Sequence, residues 1–179
     1  MEGDFRAVAA MNKNEIERNA NRLRRALGLD DAARVSLIRL LPMFEEWIEG
    51  FVFHVLEDEE MPGMDGYTGL DDYEICLSNT TYERLEAGDP YARHTAAHEI
   101  GHLMLHCKAA TAYARRSTYH SHVDPEWQAD TYADVLLMPT EGIKECCNPE
   151  EVAERFSVPL ERAEIRFAQV QNVQGELFV

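Results

Sequence analysis

Apolar residues recur at helical spacing through Ile16, Ala20, Leu23 and Leu27, and Gly28 follows at the point where such a run should stop. The spacing predicts a helix over residues 14–27, with Arg22, Arg24 and Arg25 on its outer face. Asp30 and Asp31 can cap a second helical stretch through Leu37, Ile38, Leu40, Leu41, Phe44, Trp47 and Ile48, kinked or divided at Pro42 and closed by Gly50. Strand chemistry follows. Phe51 to Leu56 is β-branched and aromatic, an acidic run Glu57 to Glu60 and Met61-Pro62-Gly63 make a solvated turn, and Tyr67–Leu70 with Tyr73–Leu77 predict a hairpin about Asp71-Asp72.

The stretch Thr80 to Asp89 is polar and ends with Gly88-Asp89-Pro90, after which Ala92 to Cys107 has helical character. Cys107 to Val123 is polar again and predicts a long loop or frayed helix. Asp124-Pro125-Glu126 is a helix start, with Asp as cap and Pro in the first turn, and Pro139 closes that helix. Asn148-Pro149 opens another in the same way, and Pro149–Phe156 with Pro159–Val170 form a C-terminal helical pair. No repeat or low-complexity linker divides the chain, so one domain over residues 12–171, with flexible tails at 1–11 and 172–179, is the expectation.

Composition narrows the function classes. The 179 residues carry 17 Lys and Arg against 33 Asp and Glu, a formal net charge of -16, which repels a phosphate backbone. Direct nucleic-acid binding is therefore disfavoured, and in the C-terminal pair Glu150, Glu151, Glu154, Glu161 and Glu164 outnumber Arg155, Arg162 and Arg166, so the pair is expected to serve packing or substrate docking. Neither a spanning apolar stretch nor a signal-peptide layout is present in the sequence, and a cytoplasmic protein without membrane contact is expected. Cys76, Cys107, Cys146 and Cys147 have irregular spacing and are expected to be free thiols.

The chemistry concentrates in His98-Glu99-Ile100-Gly101-His102. Two histidines four residues apart on a helix stack on one face, so both imidazoles can reach one metal ion. Glu99 beside that metal can take a proton from a zinc-bound water and pass it to a leaving amine. A catalytic zinc site keeps three protein ligands, so a third must come from elsewhere. The metzincin pattern would need a glycine at 105 and a histidine at 108, where the chain has Leu105 and Lys108. Glu126 is the better third ligand, and Asp130, one turn further along the same face, is placed to orient a ligand histidine through its second ring nitrogen. His94 and His106 continue the ladder and are expected to be flanking or packing residues; Tyr113, Tyr119, His120, His122 and Tyr132 are candidates for stabilising an oxyanion, each more readily explained as surface or packing.

The runs His94 to His106 and Glu126 to Pro139 resemble those of the ImmA/IrrE metallopeptidases, and the likeness extends over roughly residues 12–171. The resemblance implies an α+β, zincin-like fold, with a small antiparallel sheet packed on an active-site helix, surrounding helices and the C-terminal pair. It implies a zinc peptidase, with manganese or iron as alternative metals, that cleaves a helix-turn-helix transcriptional repressor and so releases the genes it silenced. By position, His98, His102 and Glu126 match the family's metal ligands and Glu99 its catalytic glutamate. By fold analogy, Tyr67–Leu70 is the sheet edge against which an extended substrate would lie. The competing reading is a binding module that sequesters a repressor or toxin-like partner without cutting it.

Overall fold

The computed structural model describes residues 10–30, 32–69, 71, 73–107 and 124–176. Its elements run α1 (Lys13–Ala26), α2 (Leu37–Trp47), β1 (Val52–Leu56), β2 (Gly66–Gly69), β3 (Glu74–Ser78), α3 (Asn79–Glu86), α4 (Pro90–His106), α5 (Pro125–Leu137), α6 (Thr140–Lys144), α7 (Pro149–Phe156) and α8 (Leu160–Glu176). The class is α+β, as expected. None of the helices described is long and apolar enough to cross a membrane.

The first helix begins with a reciprocal cap: Asn12 accepts from the Glu15 N–H at 3.0 Å, and Glu15 returns a bond to the Asn12 N–H at 2.9 Å. Ile16, Ala20 and Leu23 of α1 are buried where it packs on α5. Arg24 departs from expectation. It is only 2% exposed and donates to the carbonyls of Leu136, Asp30 and Ala33. Those carbonyls belong to the end of α5 and to the turn after α1, so the guanidinium supplies donors that the backbone there lacks.

Two further boundaries differ from the sequence reading. Asp30 closes a local turn by accepting from the Ala32 N–H at 2.8 Å, and the second helix starts only after Ser36. It then runs unbroken through Pro42, with Leu37, Leu40, Leu41 and Phe44 buried on both sides of the proline, so packing holds the helix across the missing backbone donor. The polar stretch after Ser78 forms a helix, α3, and Ser78 caps it by accepting from the Thr81 N–H at 3.2 Å.

The sheet is mixed, which corrects the expected antiparallel arrangement. Its order is β1-β3-β2: β2 and β3 form the expected antiparallel hairpin, but β1 pairs parallel to β3, Val52 opposite Glu74 through Leu56 opposite Ser78. The chain between β1 and β2 carries β2 to the far side of β3, so consecutive strands are not neighbours. The outer edge of β2 pairs with no strand among the described residues, and the strand itself packs on α4. Ile75, Cys76 and Leu77 of β3 are buried with Ala92, Ala96, Ala97, Ile100, Leu103 and Leu105 of α4 in one core. Cys76, Cys107, Cys146 and Cys147 are free thiols, the first three buried.

Candidate metal centre

The central helix starts at Asp89, which accepts from the Ala92 N–H at 2.9 Å, with Pro90 in its first turn. Its closest partner is α5, whose own cap, Asp124, accepts from the Glu126 N–H at 3.0 Å. The approach of the two helices depends on Gly101: a Cβ at that position would meet the Ala129 carbonyl oxygen at 2.9 Å, its Cα at 3.0 Å and the Tyr132 Cβ at 3.2 Å. Any larger residue would hold the helices apart. The glycine thus sets the distance between the histidines of α4 and the first turn of α5.

Across that contact three donor groups converge. His98 Nε2 and His102 Nε2 are 2.9 Å apart, Glu126 Oε2 is 3.2 Å from the former and Glu126 Oε1 3.5 Å from the latter. Ligands at ~2.0–2.1 Å from a tetrahedral zinc stand about 3.3 Å from one another, so these spacings fit one small cation and its donor set fits zinc. His98, His102 and Glu126 form the group able to hold a metal ion among the described residues. The two histidines are partly buried, while Glu126 is exposed at the rim.

Each histidine is held from behind. His98 Nδ1 is 2.8 Å from Asp130 Oδ1, the orienting contact expected for Asp130. Arg162, from α8, in turn binds Asp130 Oδ2 at 3.0 Å and grips Asp134 with two bonds of 3.0 and 2.7 Å. His102 Nδ1 faces His106 Nδ1 at 3.0 Å, and His106 Nε2 lies 3.1 Å from Gln128 Oε1. His106 is therefore more than a packing residue. His94 flanks the site, with its Nε2 3.5 Å from Asp134 Oδ1.

Electrostatics separate the two histidines. Burial disfavours the imidazolium at His98, but the Asp130 hydrogen bond and the charges of Glu99, Asp130 and Glu126 outweigh it and lift its pKa above the ordinary value. Burial wins at His102, helped by the charge at His98, and pushes it down to about 3, while burial keeps His106 neutral by lowering its pKa. Two nitrogens facing each other at 2.9 Å need one proton between them. Of the two, His98 has the surroundings that favour the proton, since its pKa is raised while that of His102 is lowered.

Glu99, next to His98, faces the edge strand β2. It is 7% exposed, and burial raises its carboxyl pKa against the opposing effect of a 2.6 Å bond from the Thr68 hydroxyl. The same hydroxyl lies 3.0 Å from the Glu99 carbonyl, so the edge strand β2 fixes both ends of this residue. Gly66 keeps the strand close, since a Cβ there would meet Glu99 Cγ at 3.1 Å. A buried carboxylate whose pKa is raised in this way is suited to accepting a proton and passing it on.

Sequence reasoning did not find Thr68, Gln128 or Arg162. None belongs to a spaced motif, and only His106, four residues beyond His102, left a periodic trace. Tyr132 is fully buried in the core, which removes it as an oxyanion donor, while Tyr113, Tyr119, His120 and His122 lie outside the described residues.

Residues 88–168, which contain α4, α5 and most of the helices that brace them, match the family model described as the IrrE N-terminal-like domain, Peptidase_M78. Among solved structures the chain is similar to one titled Mycobacterium tuberculosis transcriptional regulator, with 15% identity and a TM-score of 0.55 over 84% of this chain; the chain spans 45% of that protein's length. At that identity the likeness is one of fold. A search of curated proteins gives no match.

Proposed function

Because residues 88–168 belong to the ImmA/IrrE family of metallopeptidases, we propose that this chain is a zinc-dependent endopeptidase that cleaves a helix-turn-helix transcriptional repressor and thereby derepresses its genes. The observation that carries the catalytic part is the convergence of His98 Nε2, His102 Nε2 and the Glu126 carboxylate, 2.9 to 3.5 Å apart. His98, His102 and Glu126 would hold the ion, which when bound supplies a Lewis acid and lowers the pKa of water. Glu99 takes the proton from the attacking water and delivers it to the leaving amine. Thr68 holds the Glu99 carboxylate in place for both transfers. The outer edge of β2, next to Glu99, offers main-chain groups to an extended substrate segment.

The repressor substrate is supported by the family resemblance and by charge. A surface of net charge -16 suits a basic DNA-binding partner, since opposite charges speed encounter. Such a substrate would place the protein in the cytoplasm. The test is metal content by elemental mass spectrometry for wild type, Glu126→Ala and Glu99→Gln, paired with cleavage of repressors expressed from the same genome. Zinc retained near one equivalent in wild type and Glu99→Gln but lost from Glu126→Ala, with cleavage lost in both variants, is the expected outcome. A Glu99→Gln protein that still derepresses the target genes would mean that the chain sequesters its partner without cutting it.

A further inference from the structure

We propose that His106 and Gln128 are positioning residues that set the tautomer of His102, so that its Nε2 presents a lone pair to the metal through a chain of neutral hydrogen bonds. The inference rests on the metal-site reading. Gln128 is fully buried, and its side-chain oxygen faces His106 Nε2 at 3.1 Å. An amide oxygen only accepts, so His106 carries its proton on Nε2 and leaves Nδ1 bare. That bare nitrogen is 3.0 Å from His102 Nδ1, which must then be the donor. A neutral imidazole has one N–H, and with it spent on His106, His102 Nε2 is left as the lone pair that faces His98 and Glu126.

The direction of this chain is decided at Gln128. Were its amide group to face His106 instead, every bond would reverse and the proton would end on His102 Nε2, where coordination needs a lone pair. The two ligand histidines are thus oriented by different means. His98 is held by Asp130, a carboxylate clamped by Arg162, whereas His102 is held by a second imidazole and a carboxamide that bring no charge. Ligand histidines are ordinarily oriented by a carboxylate, a carbonyl or water, and loss of such a partner weakens metal binding about 10- to 100-fold.

The test uses the full chain and four variants: His106→Leu, His106→Asn, Gln128→Leu and Gln128→Glu. Asn at 106 can place an acceptor oxygen near the position of Nδ1, and Glu at 128 keeps an acceptor for His106. Zinc affinity, by competition with a chromophoric chelator, should fall about 10- to 100-fold in both Leu variants and stay near wild type in the other two. Melting of the zinc-free proteins is followed in parallel, because a merely structural role would lower the melting temperature and leave the affinity alone. Long-range 15N–1H correlation on zinc-free wild type should show the His102 proton on Nδ1 and the His106 proton on Nε2. Unchanged affinity in folded Leu variants, or a His102 proton on Nε2, overturns the proposal. If wild type holds no zinc, the metal-site reading fails instead, and the tautomer spectrum still decides the role of His106.

Discussion

Replacing Gly101 by alanine pits two effects of opposite sign against each other. Gly101 lies within a regular helix, so the substitution gains about 1 kcal/mol of helix propensity. Against it stands the contact with α5: the new methyl would sit 2.9 Å from the Ala129 carbonyl oxygen and 3.0 Å from its Cα, both backbone atoms that cannot rotate away. Ordinary contact begins near 3.4 Å, so the helices must part by a few tenths of an ångström, and overpacking of this kind costs about 1–3 kcal/mol. The steric term should win by about 1 kcal/mol, or roughly 2–4 °C in melting temperature for a chain of this size. The same displacement moves Glu126 away from His98 and His102, which now stand 3.2 and 3.5 Å from its oxygens. Zinc affinity should therefore fall more than global stability suggests. Thermal melting of zinc-free protein and chelator competition measure the two quantities separately. A Gly101→Ala protein that melts higher than wild type and binds zinc equally well would refute the reasoning, since propensity alone would then account for the site.

Three other outcomes follow from the same geometry. Zinc must displace the His98 Nε2 proton, and the His98 pKa lies above its ordinary value of 6.5, so zinc affinity should drop about tenfold per pH unit below that raised pKa and level off above it; a flat profile between pH 5 and 8 would exclude the shared proton. Thr68→Val removes the hydroxyl that favours ionised Glu99 while burial, which raises its pKa, remains. The carboxylate must be ionised to accept a proton, so the acidic limb of the cleavage profile should move to higher pH, and an unmoved limb counts against Glu99 as the base. Arg162→Met leaves the buried Asp134 carboxylate without its two-bond partner, a loss of about 3 kcal/mol in urea denaturation; a loss under about 1 kcal/mol would mean that water replaces the guanidinium.

Much of the fold was legible where local signals agree. Asn148 and Asp124, each followed by proline, marked helix starts that the structure places at Pro149 and Pro125, and the β2–β3 hairpin fell where the two strand patterns flank Asp71. The polar composition of Asn79–Glu86 hid α3, a helix that buries only Thr81 and Leu85. The outward placement of Arg24 failed because periodicity records which positions are apolar and cannot register that a carbonyl 112 residues away takes a bond from it. Parallel pairing of β1 was invisible for a related reason: strand residues report a half-buried pleat, not which neighbour they meet.

By itself the sequence determined the i, i+4 pair His98 and His102, the carboxylate between them and the capped helix bearing Glu126 and Asp130, because these depend on the 3.6-residue turn and on end-capping. Only the tertiary structure decided that Glu126 faces the two histidines, that Thr68 holds Glu99, that Arg162 secures Asp130, and that His106 and Gln128 stand behind His102. Those contacts join residues separated by up to 32 positions, and hydrogen bonds of that span form when packed helices and a sheet edge bring the partners within 3 Å or so.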